Sequence, residues 1–229
     1  MLERLDYVKI APRRVLDAGS GPPRRDLGKR YPGAQLVALD FALGMLRRRS
    51  WFSRKPLAVC GELERLPIAA AAVDFVWCNM VLHWLSDPLP AFQEFARVLA
   101  PEGLLMFSTL GPDTLKELRA AAGEARVHAF TDMHDLGDML VAAGFSAPVM
   151  DMEIIEIEYT RGGSLLADLR SSGQTNARTD RPRGLSGPGF SKRLGKPLRA
   201  TFEVVYGHAW NGRKLEPEAK TVRIFKRMP

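Results

Sequence analysis

Arg14-Val15-Leu16-Asp17-Ala18-Gly19-Ser20-Gly21 decides the fold. Its first six residues, RVLDAG, are a β-branched and apolar run ending in glycine, which reads as a buried strand. Working outward, Asp26–Tyr31 is a short helix stopped by Pro32-Gly33, and Ala34–Asp40 (AQLVALD) is a second strand. Leu43–Arg49 reads as a helix with a basic outer face, and Leu57–Gly61 (LAVCG) as a third strand. Val73–Met80 (VDFVWCNM) is nearly apolar throughout, as a strand covered on both faces should be. Pro88 opens a helix through Leu99, with Phe92, Phe95, Ala96 and Leu99 at helical spacing. Pro101-Glu102-Gly103 is expected to turn, and Gly103–Leu110 (GLLMFSTL) to form a fifth strand. Strand alternating with helix over short connections implies a doubly wound α/β fold with right-handed crossovers.

Past residue 110 the spacing predicts helices near Thr114–Ala122 and Asp132–Ala143. Met150–Tyr159 and Ala200–Trp210 alternate and fit a two-strand antiparallel edge. Between them lies a Gly/Pro-rich segment with one amphipathic helix, Ser164–Ser172. The chain thus reads as a single domain, 1–229, with a surface insertion at 161–199.

The 229 residues are 46% apolar and 26% charged, enough for one full core and too apolar for a disordered chain. No apolar run reaches the roughly 18–20 residues of a membrane span, so no membrane partner is expected. The start, MLERLDYVKIAPRR, lacks an apolar core with a small-residue cleavage site. Cys60 and Cys78 sit in apolar runs and read as buried reduced thiols, which together predicts a cytoplasmic protein. Net charge is +7, and residues 161–199 hold nine basic against two acidic side chains, leaving the rest of the chain balanced. A field concentrated in one segment favours an acidic partner.

Four motifs fall at the carboxyl ends of predicted strands, where open parallel sheets bind ligands. Asp17-Ala18-Gly19-Ser20-Gly21 lets backbone approach a ligand, and the following helix is expected to offer free N–H groups. Asp40, 23 residues after Asp17, stands where an acidic side chain accepts from ribose hydroxyls; capping the helix at Leu43 is its structural alternative. Gly61-Glu62-Leu63-Glu64-Arg65-Leu66-Pro67 can read the amino edge of adenine with a carboxylate and a following N–H. Asn79-Met80-Val81-Leu82-His83-Trp84 closes the fourth strand.

With these motifs the sequence resembles the class I S-adenosylmethionine-dependent methyltransferases. VLDAGSG is similar to the family's first motif, the Asp40 strand to the second, GELERLP to the third and VDFVWCNMVLHW to the fourth. FSTLGPDTLKELRAA, DMHDLGDMLVAAGFSAPVMDME and ATFEVVYGHAW resemble the malonyl-acyl-carrier-protein O-methyltransferases of biotin synthesis. The resemblance implies a mostly parallel, Rossmann-like seven-stranded sheet with an antiparallel C-terminal hairpin. It implies S-adenosyl-L-methionine as cofactor and malonyl-acyl-carrier protein as partner, with no nucleic acid and no metal. Gly19, Ser20 and Gly21 would approach the methionine moiety, and Asp17 would orient that loop and the cofactor amino group. Asp40 would take the ribose hydroxyls, with Phe41 and Met45 beside the adenine. Glu62 and the Leu63 N–H would meet the adenine edge. Asn79 and Met80 would bind the methionine end, and Trp84 would line the substrate entrance.

Methylating a carboxylate needs no general base, because carboxyl pKa values near 4 leave the nucleophile ionised at neutral pH, so positioning would be the catalytic device. His83 is the one histidine placed in the pocket, a weak proton-transfer candidate; the family often has Gln there. His128, His134 and His208 read as surface or packing residues. Arg178, Arg181 and Arg183 are the candidates to hold the malonyl carboxylate or the carrier protein. The chain departs from the family where Pro22-Pro23 replaces a third glycine and a possible N–H donor, and in a shorter lead-in before the first strand. The alternative is an assembly factor on the same fold, non-catalytic or of different specificity. A nucleic-acid methyltransferase is disfavoured, because the fourth strand lacks the Asn/Asp-Pro-Pro-aromatic signature.

Overall fold

The computed structural model describes residues 1–22, 26–47, 56–174 and 198–212. The strands are β1 (Arg14–Ala18), β2 (Gln35–Asp40), β3 (Leu57–Cys60), β4 (Val73–Asn79), β5 (Leu99–Leu110), β6 (Phe145–Tyr159) and β7 (Leu198–Asn211). The helices are α1 (Asp26–Arg30), α2 (Leu43–Arg47), α3 (Leu89–Val98), α4 (Lys116–Ala122), α5 (Met133–Ala142) and α6 (Gly162–Ser171). One seven-stranded sheet runs β3-β2-β1-β4-β5-β7-β6, parallel through β5, with β7 antiparallel to both its neighbours. The chain moves outward from β1 to β2 and β3, then returns to lay β4 on the other side of β1. That reversal opens a crevice at the carboxyl ends of β1 and β4.

The apolar patterns explain the two layers. On α3, Ala91, Phe92, Phe95 and Ala96 are fully buried and pack with Phe107, Leu136 and Leu140 on one side of the sheet. Leu5, Val15, Leu27, Phe75, Trp77 and Met106 form the core on the other side. A third cluster joins α4 and α6 through Leu115, Leu118, Tyr159, Leu165 and Ala200. The Asp132 side chain accepts the His134 N–H at 2.8 Å and caps α5. Gly207 lies so close to the Phe107 ring that a β-carbon there would overlap it.

Three sequence expectations need correction. Pro101-Glu102-Gly103 is not a turn leading into the fifth strand; β5 already starts at Leu99 and absorbs the extra residues as a bulge opposite Val73–Phe75, with Glu102 at φ +61°. Cys60 is exposed because β3 is the sheet edge, whereas Cys78 is buried and burial pushes its thiol pKa far up. The helix expected from Thr114 starts at Lys116, since Leu115 takes a left-handed conformation. The edge expected from Met150–Tyr159 is present: β6 is the other edge strand, antiparallel to β7, and exposes Met152, Ile154, Ile155 and Ile157.

Residues Tyr159 and Leu198 pair at the stem of the insertion. Because β6 runs in the direction of the parallel strands, that stem lies at the crevice end of the sheet. Among the described residues, no helix is long and apolar enough to cross a membrane.

Candidate active site

A cavity of about 880 Å³ occupies the crevice. Its walls include Asp17, Gly19, Ser20 and Gly21 from the end of β1, then Asp40, Phe41 and Met45 after β2. Glu62 and Leu63 after β3, and Asn79, Met80 and Trp84 after β4, complete it. Every residue that the sequence assigned to cofactor binding therefore faces one space.

The glycine loop is fixed by its own backbone. Gly19 and Gly21 adopt φ +71° and +57°, and a β-carbon on Gly19 would sit 2.5 Å from Val81 Cγ2. The Gly19 and Ser20 N–H groups both donate to Leu39 O, at 2.8 and 2.9 Å, and Gly21 N–H donates to Asp40 Oδ2 at 2.8 Å. The loop's own amides are thus engaged, and the following helix, α1, is five residues long. Pro22 lines the cavity; Pro23 lies outside the described residues.

Asp40 stands both at the entry to α2 and on the cavity wall. Its Oδ1 accepts the Ala42 N–H at 2.8 Å at the entry to α2, while Oδ2 ties β2 to the glycine loop. A carboxylate offers about four acceptor positions, so roughly two remain for hydroxyl donors of a ligand. Beside it Phe41 is 73% exposed and Met45 39% exposed, an apolar ledge on the cavity rim.

Asn79 is oriented from behind. Ser108 Oγ donates to Asn79 Oδ1 at 2.9 Å, which leaves the amide N–H₂ as the group the side chain can present. Met80 is held at φ +58° by its N–H to Ser108 O, 2.9 Å. Strain of this kind in a non-glycine residue gathers at ligand sites. Asp17 is nearly buried at the floor.

His83 does not line the cavity. It is 7% exposed, with its ring 5.3 Å from Trp84 and 6.3 Å from Phe130, and neither nitrogen has a hydrogen-bond partner of good geometry. Burial lowers its pKa to about 4, although the nearby Gln174 side chain opposes the shift. It is therefore neutral at pH 7, and its expected place in the pocket is corrected. His128 joins this cluster, its ring 5.5 Å from Trp84, while His134 is spent on the α5 cap.

Sequence reasoning missed Trp77, Leu85 and the Ser172-Gly173-Gln174 turn after α6, all of which line the cavity. The last of these brings the start of the basic insertion to the cavity rim. Arg178, Arg181 and Arg183 lie outside the described residues.

S-adenosylmethionine fits this donor set: an acidic strand end for the sugar, exposed apolar side chains for a flat base, and an amide donor with a glycine cradle for the amino-acid end. Residues 16–107 match the methyltransferase domain family. The chain is 50% identical over 234 residues to the malonyl-acyl-carrier-protein O-methyltransferase of Methylovorus sp., covering 92% of this chain and 79% of that one. It is 48% identical over 235 residues to the enzyme of that name from Gallionella capsiferriformans, covering 92% and 81%. Among solved structures, the YcgJ protein from Bacillus subtilis superposes with a TM-score of 0.65 at 19% identity, over 91% of this chain and 97% of that one, a likeness of fold.

Proposed function

This chain belongs to the malonyl-acyl-carrier-protein O-methyltransferase family, and we propose that it methylates the free carboxylate of malonyl-acyl-carrier protein, forming the ester that starts biotin synthesis. The observation that carries this reading is the convergence of all eleven expected cofactor residues on one cavity. S-adenosylmethionine supplies an electrophilic methyl group on a sulfonium.

The chain's own residues bind and orient. Asp40 keeps acceptor positions for the ribose hydroxyls while fixing the glycine loop. Glu62 and the Leu63 N–H meet the adenine edge, with Phe41 and Met45 against its face. Asn79, set by Ser108, donates to the amino-acid end, where Asp17 accepts from the amino group. The nucleophile is ionised without help at neutral pH, so no proton has to be removed. The rate gain comes from holding the carboxylate in line and stripping its water beside Trp84 and its aromatic neighbours.

The insertion is the docking side for the carrier protein. It rises at the cavity end of the sheet, touches the rim through Ser172-Gly173-Gln174, and holds the chain's excess positive charge. Acyl-carrier proteins are acidic, so the field steers encounter. On this reading the enzyme's partner is malonyl-acyl-carrier protein, met in the cytoplasm.

Two measurements test the reading: calorimetric titration with S-adenosylhomocysteine, and mass spectrometry of malonyl-acyl-carrier protein after incubation with S-adenosylmethionine. Cofactor binding and a methyl ester product are expected. A chain that leaves both ligands untouched would instead be the assembly factor considered above.

A further inference from the structure

Behind the adenine wall, two side chains of α3 grip the main chain of the β3–β4 loop. Arg97 Nη1 donates to Ile68 O at 2.8 Å and Nη2 to Leu66 O at 2.9 Å. Arg97 Nε and Nη2 also donate to the two Glu94 oxygens, each at 2.7 Å. Glu94 Oε2 in turn accepts the Leu66 N–H at 2.6 Å. Both polar groups of the Leu66 backbone are therefore taken by one ion pair. The rigid guanidinium fork makes this geometry available to arginine and not to lysine.

The same loop closes on itself. Arg65 N–H donates to Glu62 O at 3.3 Å, and a β-carbon on Gly61 would stand 2.8 Å from Pro67 Cδ. Leu63 and Leu66 are buried, at 7% and 4% exposure. One limb, Leu66–Ile68, is clamped to α3. The other limb presents Glu62 and Leu63 to the cavity. Between the limbs there is no helix or strand to set their height.

We propose that Glu94 and Arg97 are positioning residues for base recognition. They hold the Gly61–Pro67 loop where Glu62 and the Leu63 N–H meet the adenine edge, and so set the preference for adenine without touching the ligand. This rests on the cofactor reading given above. A recognition hydrogen bond bent out of line is worth up to roughly tenfold in affinity, so a loop released from its clamp loses selectivity before it loses the pocket.

The test compares dissociation constants for S-adenosylhomocysteine and S-inosylhomocysteine, in which a carbonyl replaces the adenine amino group. Calorimetry is run on the full chain below the melting temperature of each variant. The variants are Arg97→Ala, Arg97→Lys and Glu94→Gln. Asn211→Ala serves as control for general loosening, because Asn211 Nδ2 donates to Ala96 O, Leu99 O and Ala100 O at the same C-terminal end of α3, bonds made to α3 and β5 carbonyls rather than to Leu66 or Ile68. The wild type is expected to prefer the adenine ligand. Arg97→Ala should narrow that preference by roughly tenfold, with Arg97→Lys and Glu94→Gln between it and the wild type. Should Arg97→Ala fail to fold, the two milder variants decide. An unchanged preference in the folded clamp variants, or equal narrowing in Asn211→Ala, overturns the proposal. A wild type that binds S-adenosylhomocysteine without preferring its base overturns the positioning role alone. A wild type that does not bind it at all overturns the cofactor reading first.

Discussion

Replacing Asp40 with alanine removes the proposed ribose acceptor and the tie to the glycine loop together. Each Asp40 oxygen already accepts one backbone N–H, from Gly21 and Ala42, both at 2.8 Å. The second position on each oxygen is what a vicinal diol would use. Losing two charge-assisted hydrogen bonds, partly replaced by water, should weaken cofactor affinity by about 2–4 kcal/mol, or roughly 30- to 900-fold. The two orphaned N–H groups lie at a partly open site, so stability should fall by only about 1–2 kcal/mol. Asp40→Asn separates the contributions. It keeps one acceptor and turns an N–H₂ toward Gly21 or Ala42, so its affinity should fall between wild type and alanine. Calorimetry with S-adenosylhomocysteine measures the affinity, and urea unfolding measures the stability. An alanine variant that binds within about twofold of the wild type would place the sugar elsewhere and refute the assignment.

Gly19→Ala combines positive φ with a β-carbon 2.5 Å from Val81, so it should cost about 2–4 kcal/mol, whereas Gly21→Ala, with positive φ and open space, should cost only about 1–2; urea unfolding ranks them. His83 supplies a pH dependence with a definite sign. Its folded pKa is near 4 against an ordinary 6.5, so between those values the unfolded chain binds the proton that the folded chain refuses. That contribution is whole above pH 6.5 and falls away toward pH 4, by at most about 3 kcal/mol, and His83→Gln should flatten the slope in unfolding titrations. Reversing Arg181 and Arg183 to Glu should raise KM for malonyl-acyl-carrier protein and spare a small malonyl thioester. For the wild type, added salt should do the same through screening; equal loss on both substrates would mark a fold defect instead.

The sequence made the switch-point half of the fold legible because β1, β2 and β4 are short apolar runs that end in glycine or a polar residue. Those ends are the site, so Asp17, Asp40 and Asn79 could be placed before any coordinates. What stayed hidden has physical causes. VDFVWCNM is apolar on both faces, so its pattern could not tell which side Trp77 points to, and Trp77 turned out to line the cavity. Cys60 looked buried because composition does not reveal that β3 stands at the sheet edge. Pro101-Glu102-Gly103 has turn chemistry, yet pairing with β4 held it in the sheet. Gln174 reaches the cavity only through the packing of α6 on Leu115 and Tyr159, a contact between distant parts of the chain. The acceptors of the Gly19 and Ser20 amides could not be foreseen either, since Leu39 O comes from the neighbouring strand.

The zipped stem of β6 and β7 has an evolutionary corollary. Pairing runs unbroken from Val149–His208 to Tyr159–Leu198, so any change in length between residues 160 and 197 is absorbed beyond a fixed clasp. No slip there can travel into the parallel strands that carry the glycine cradle. The crevice mouth is therefore an exchangeable cassette on a fixed chassis, and a lineage could retool which methyl acceptor it welcomes while its floor stays as it is.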